Sequence, residues 1–171
     1  MTKRLHASRG YPHDVADFAD ALADPGFHRA RLDAGGGGEV EEHRVGGPRN
    51  SSIYVVVRQP VPAGQIPPVI ARLLTGGLEL RRTERWQVSD ERCTGTVEVA
   101  VPLAPVRAEG TMAVEPRPVG CRLDVDVDVT VTIPFAGALL ESAVVDGVRQ
   151  LTSVEHDNIT RWLDDHPARE A

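Results

Sequence analysis

A chain of 171 residues suits one domain, long enough to bury a sizeable core without disulfide or metal staples. Hydrophobic residues are 41% and charged residues 26%, the ordinary balance of a globular protein. The net charge of -6, with no run of Lys or Arg, argues against a nucleic-acid partner, because nothing offsets an anionic polymer. No apolar stretch approaches the roughly 20 residues that span a bilayer, so stable membrane insertion is not expected. Met1 to His6 carries positive charge without an apolar segment behind it, so the expected location is cytoplasmic. Cys93 and Cys121 are too few and too far apart for a disulfide framework.

In chain order, the first clear signal is Tyr11-Pro12-His13-Asp14, followed by Val15, Phe18, Ala19 and Leu22 at helical spacing. Asp14 or His13 caps this short helix; Asp24-Pro25 opens a second one, anchored by Phe27 and Leu32. Gly35 to Gly38 end it as a flexible connection, and without a following Gly-Lys-Ser/Thr they are not a phosphate loop.

From residue 39 the period changes to two. Glu39 to Val45 is a weak strand and Ser52 to Gln59 a strong one. Prolines 60, 62, 67 and 68 interrupt, with a short apolar turn over Val69 to Leu74. Further strands fall at about 78–88, 93–101, 106–115 and 120–133. In the last, Cys121, Leu123, Val125, Val127, Val129, Val131 and Ile133 alternate with Arg122, Asp124, Asp126, Asp128, Thr130 and Thr132. The pattern predicts one dry face and one face of solvated carboxylates, with register fixed because a slip would bury aspartates.

Pro134 stops the strand, and residues 136–163 read as one long helix, with 164–171 a frayed tail. On a wheel of about 100° per residue, Leu140, Val144, Val148, Leu151, Ile159 and Trp162 share one apolar stripe. The order is strand, two short helices, six strands, one long amphipathic helix.

That order resembles the START-like superfamily, also called SRPBCC, Bet v 1-like or polyketide-cyclase-like, and within it the bacterial domain-of-unknown-function family 2505. The resembling segments are Tyr11-Pro12 leading into Asp17 to Phe27, then Thr83-Glu84-Arg85-Trp86, then Val129 to Pro134, and Arg161-Trp162-Leu163 closing the helix. The resemblance covers nearly the whole chain as one domain, 1–171. It implies an α+β helix-grip fold, a curved antiparallel sheet of about seven strands wrapped around the C-terminal helix. It also implies a cavity between sheet and helix for an apolar small molecule, and it brings no catalytic residues with it.

One residue interrupts the helix stripe. Glu155 falls near its middle, where a carboxylate must be paired, protonated or facing a wet cavity. An ion pair with a strand arginine such as Arg82 is the expected arrangement; contact with a ligand is the alternative. In the strand from Leu78, one face reads Leu78, Leu80, Arg82, Glu84, Trp86. Alternating charges are usually solvated, so Arg82 and Glu84 are expected toward an exposed end of the sheet, with the cavity wall as the rival placement. Trp86 is expected in the core or cavity wall.

Six scattered histidines offer no metal-ligand spacing, and His156, next to Glu155, points about 100° away from it and off its face. No metal or cofactor is expected. With aromatic residues at 4%, the cavity should be lined by aliphatics and Met112 more than by rings. The ligand-binding set is thus Arg82, Glu84, Trp86, Met112, Val144, Val148 and Glu155. The leading reading is binding of a lipid-like or other apolar molecule. A cyclase, dehydratase or hydrolase using Glu155, Glu84 or Arg82 is the second, and an interaction module with a collapsed cavity the third.

Overall fold

In a computed structural model, residues 2–62, 64, 68, 77–102, 106–132 and 137–167 are described, excluding the side chains of residues 137–141, 143, 144 and 151. The elements run β1 (Thr2–Tyr11), α1 (Val15–Ala23), α2 (Pro25–Ala34), β2 (Glu39–Gly46), β3 (Ser52–Pro60), β4 (Glu79–Val88), β5 (Cys93–Val101), β6 (Val106–Pro116), β7 (Cys121–Val131) and α3 (Gly137–Asp165). The seven strands form one curved antiparallel sheet in the order β1-β7-β6-β5-β4-β3-β2. This is the helix-grip architecture that the order of elements predicts. The apolar turn expected at 69–74 lies outside the described residues. Among the described residues, no helix is long and apolar enough to cross a membrane.

Local chemistry starts and stops the short helices. Asp14 accepts from the Asp17 backbone N–H at 2.9 Å, and Asp17 returns the bond to the Asp14 N–H at 3.1 Å, a closed capping box. Asp24 caps α2 through the Gly26 N–H at 2.7 Å, with Pro25 at the first helical position. Gly36, Gly37 and Gly38 all take positive φ, a run of turns open to glycine, which carries the chain from α2 into β2.

The concave face is set by period-two alternation carried across the sheet. Leu80, Arg82, Glu84 and Trp86 of β4 are all buried on it, whereas Arg81, Arg85 and Gln87 are exposed. The expected placement of Arg82 and Glu84 at a solvated end of the sheet is therefore overturned. Leu80 and Trp86 bracket them on the same face, and burial of that face carries the charged pair inside. Glu84 stands opposite Val97 on β5, which faces Gly110 on β6, which faces Val127 on β7. Gly110 allows a close approach at the centre of this row: a Cβ there would collide with the Asp126 carbonyl oxygen and lie 2.8 Å from Val127 Cα.

Strand β7 departs in two ways from the expected dry and wet faces. Val125 and Val127 are half-buried, unlike the buried Leu123, Val129 and Val131, because they line cavities instead of packing solidly. Of the three aspartates on the other face only Asp126 is exposed, because β1 lies alongside with complementary side chains. Arg4 grips Asp128 through two bonds of 3.0 and 3.1 Å, and His6 meets Asp126 at 3.0 Å. Such exposed pairs stabilise little singly, but they set the register of β1, whose own apolar pattern is weak.

Along α3, Ile159 of the predicted stripe is buried and Val148 and Trp162 are half-buried, whereas Val145 and Leu163, about 40° beyond its edge, are buried; Arg149, Asp157 and Asp164 are exposed as expected. The helix continues through Asp165, so residues 164 and 165 belong to it and not to a frayed tail. Gly110→Ala should lower stability by about 2 kcal/mol or more, because the obstructing atoms are backbone and cannot rotate away. Thermal unfolding checks this; a melting temperature within about 2 °C of the parent protein would count against the close approach.

Candidate functional site

Four charged side chains from three elements meet between the sheet and α3. Arg31 comes from α2, Arg82 and Glu84 from β4, and Glu155 from α3, and each side chain is at most 13% exposed. Arg31 Nη2 donates to Glu84 Oε1 at 3.0 Å and to Glu155 Oε2 at 3.3 Å, while its Nη1 reaches Glu84 Oε2 at 3.4 Å. Arg82 Nη1 donates to Glu155 Oε1, and its Nε lies 3.1 Å from Glu84 Oε1. Trp86 Nε1–H adds a bond to Glu84 Oε2 at 2.9 Å. Two guanidiniums and two carboxylates thus close on one another with no net charge.

Burial alone would raise both glutamate pKa values, but the flanking arginines outweigh it. Arg31 and Arg82 hold Glu84 far below the usual carboxylate range, and Arg82 and Arg31 hold Glu155 below it too. Both carboxylates are therefore ionised at neutral pH. The ion pair expected between Glu155 and Arg82 is present, and it belongs to a larger network that also takes in Arg31.

This network lines part of a partly open cavity of about 160 Å³. Leu80, Val97, Val99, Met112, Leu123 and Val125 supply aliphatic wall, and Phe18, Phe27 and Trp86 supply rings. Aliphatics and Met112 outnumber the rings, as expected, and the three rings come one each from α1, α2 and β4. Of the predicted set, Arg82, Glu84, Trp86, Met112, Val148 and Glu155 line this cavity. The side chain of Val144 lies outside the described residues.

A second cavity, about 270 Å³, lies between β1 and α3 and includes the exposed His6, Ser8, Arg149 and Ser153. The two share Val125, Val127, Val148, Thr152 and His156 as common wall. His156 was expected off the face of Glu155. Instead both line the inner cavity, which is broad enough to meet helix positions about 100° apart. Its Nδ1 lies 2.6 Å from the Tyr11 hydroxyl. Burial, and next Arg9, lower its pKa, so the imidazole is neutral at pH 7.

Sequence reasoning passed over Arg31, His156 and Tyr11. The signal for Arg31 was available: it stands four residues after Phe27, on the same helix face, as a charge within an apolar stripe. His156 had no such signal, since its partner Tyr11 is 145 residues away. Among the described residues, no group of three or more His, Cys, Asp or Glu side chains is placed to hold a metal ion.

A family model described as protein of unknown function, DUF2505, matches residues 6–163. The chain belongs to this family. An uncharacterised protein of Mycobacterium tuberculosis is 30% identical over 173 residues, covering 95% of this chain and 98% of the relative; an uncharacterised protein of Mycobacterium bovis matches to the same extent. Among solved structures, a protein of Thermus thermophilus superposes with a TM-score of 0.60 at 17% identity, covering 97% of this chain and 100% of the other. Norcoclaurine synthase of Thalictrum flavum gives 0.54 at 16%, covering 99% and 90%. An aromatase/cyclase of a Streptomyces species gives 0.51 at 12%, covering 94% and 96%. These likenesses show the fold: this DUF2505 protein has the helix-grip fold of those structures.

Two outcomes follow from the buried charges. Glu155→Gln leaves one buried positive charge uncompensated and should destabilise the protein by about 3 kcal/mol in urea unfolding. A loss below about 1 kcal/mol would mean that the network is not closed as described. His28 behaves differently. Burial, and next Arg31, push its imidazole down to about 4 while its Nε2 bonds to the Leu22 carbonyl at 2.9 Å. The unfolded chain takes up this proton near pH 6.5, so the stability it contributes is complete above that value and lost as pH falls toward 4. Between pH 7 and 5 the loss should be on the order of 2 kcal/mol, and His28→Gln should show a smaller one over the same interval.

Proposed function

We propose that the protein binds an apolar small molecule, lipid-like or ring-bearing, in the inner cavity between the sheet and α3. The observation that carries this reading is a partly open, mostly apolar space of about 160 Å³ whose lining includes a fixed, ion-paired polar cluster. An apolar cavity of about 150 Å³ is large enough for benzene. The inner cavity alone lies below the roughly 300 Å³ at which small-molecule sites begin, and the outer cavity of about 270 Å³ shares five of its lining residues.

The state of the carboxylates supports binding over acid–base catalysis. Glu84 and Glu155 are clamped by two guanidiniums each, which removes them as proton donors at neutral pH and weakens them as bases. Norcoclaurine synthase, which shares the fold, is known in complex with dopamine and hydroxybenzaldehyde. The proposal places the protein in the cytoplasm, where the free, buried Cys93 and Cys121 suit a reducing compartment. Burial raises both thiols to about 11, so they act as small apolar groups and not as nucleophiles.

Toluene is a suitable probe. At about five times its dissociation constant it should stabilise the protein by about 1 kcal/mol, raising the melting temperature by about 2–4 °C. Val99→Phe, which fills the inner cavity from a half-buried position, should abolish the rise while the far-ultraviolet circular dichroism stays unchanged. Absence of a shift in the parent protein at toluene saturation would overturn the proposal.

A further inference from the structure

The polar atoms around the inner cavity differ in what they have left to offer. Glu84 and Glu155 already accept from Arg31, Arg82 and Trp86 on all four carboxylate oxygens. Thr152 donates its hydroxyl proton to the Val148 carbonyl at 2.8 Å. Three buried nitrogens of the lining residues have no hydrogen-bond partner among the described residues: Nε of Arg31, Nε of Arg82 and Nε2 of His156. Both arginine nitrogens are N–H groups that can only donate. Arg82 Nε already lies 3.1 Å from a Glu84 oxygen, and both arginines are committed to the ion-pair network.

His156 stands apart from that network. It is only 6% exposed, it lines both cavities, and it belongs to their common wall. Its contact with Tyr11 fixes which nitrogen carries the proton. A phenol is the stronger donor and a neutral imidazole the stronger acceptor, so the Tyr11 hydroxyl donates to Nδ1 across 2.6 Å. Burial raises the Tyr11 pKa, which keeps that proton on the phenol. The imidazole hydrogen is then on Nε2, as a buried donor without an acceptor among the described residues. A donor in that state costs about 1–3 kcal/mol unless an acceptor meets it.

Resting on the binding reading above, we propose that the ligand is an uncharged apolar molecule bearing a carbonyl acceptor, held by the Nε2–H of His156 that Tyr11 orients. The absence of charge follows from the inner cavity's closed network, in which the two guanidiniums and two carboxylates neutralise one another, and from the pairing of the outer cavity's arginines, Arg9 with Asp157 at 2.7 Å and Arg149 with Asp146 at 3.6 Å. The acceptor follows from the unpaired N–H groups. The position follows from His156 itself: the apolar body occupies the inner cavity, and the carbonyl sits at the wall shared with the outer one. His156 in this tautomer is a donor to the ligand and has no lone pair facing it with which to act as a base.

The test uses the full chain with acetophenone, which carries the carbonyl, and ethylbenzene, of similar shape without it. His156→Phe should weaken acetophenone binding by about fivefold or more, the worth of one hydrogen bond, and leave ethylbenzene within about twofold. Benzoate should bind the parent protein at least about tenfold more weakly than acetophenone, since the arginines that line the two cavities already face carboxylates. The infrared carbonyl band of acetophenone bound to the parent protein should lie below its position in hydrocarbon solvent, a readout that does not depend on the variant folding. A band at the hydrocarbon position, or equal loss of both compounds in His156→Phe, overturns the His156 anchor while leaving the binding proposal standing. Failure of the parent protein to bind either compound overturns both.

Discussion

Everything between the sheet and α3 depends on the mutual neutralisation of Arg31, Arg82, Glu84 and Glu155. Moving any one of these groups out of water alone would cost several kcal/mol, so they are tolerable only together. Each comes with a constraint on its element. Glu155 holds α3 against β4, and Arg31 ties α2 to both. Buried ion networks add little net stability compared with a well-packed apolar cluster, but this one admits few alternative arrangements of three elements. Displacing the helix or α2 would strand a charge.

The network also explains why space is left beneath the helix. Four extended polar side chains bridge from helix to sheet at one end, and beyond them the concave face is lined by residues of modest length. Gly110 removes a side chain from the centre of the floor. At Gly95 the Trp86 ring takes up the room, since a Cβ there would sit 2.8 Å from it. Apolar walls and a neutral polar end follow together from these choices, and both bear on what the cavity can hold.

At the other edge, β1 closes the sheet through complementary chemistry more than through burial. Arg4 and His6 answer Asp128 and Asp126, and Tyr11, at the end of the same strand, reaches His156 on α3. Arg9 adds a bond to Asp157 at 2.7 Å. The first strand therefore fixes the last helix at the point where the two cavities share a wall.

Much of this was legible in the sequence, for reasons of periodicity. Strand β7 alternates so regularly that only one register avoids burying aspartates, and the stripe on α3 could face only a sheet. Glu155 stood out because a carboxylate on that stripe violates the pattern, and a violation is visible locally. Arg82 and Glu84 were misplaced for the same reason in reverse: two charges alternating with Leu80 and Trp86 look alike whether they face solvent or one another's partners. The arginine from α2 and the glutamate from α3 that make their burial tolerable lie 53 and 73 residues away. His156 was unreadable in the same way, since its meaning comes from Tyr11 across the whole domain. Repeating patterns along the chain determined the elements, their faces and their order. Which charges are buried, and which nitrogen is left without a partner among the described residues, was decided by tertiary structure, because pairing is a property of distance in space.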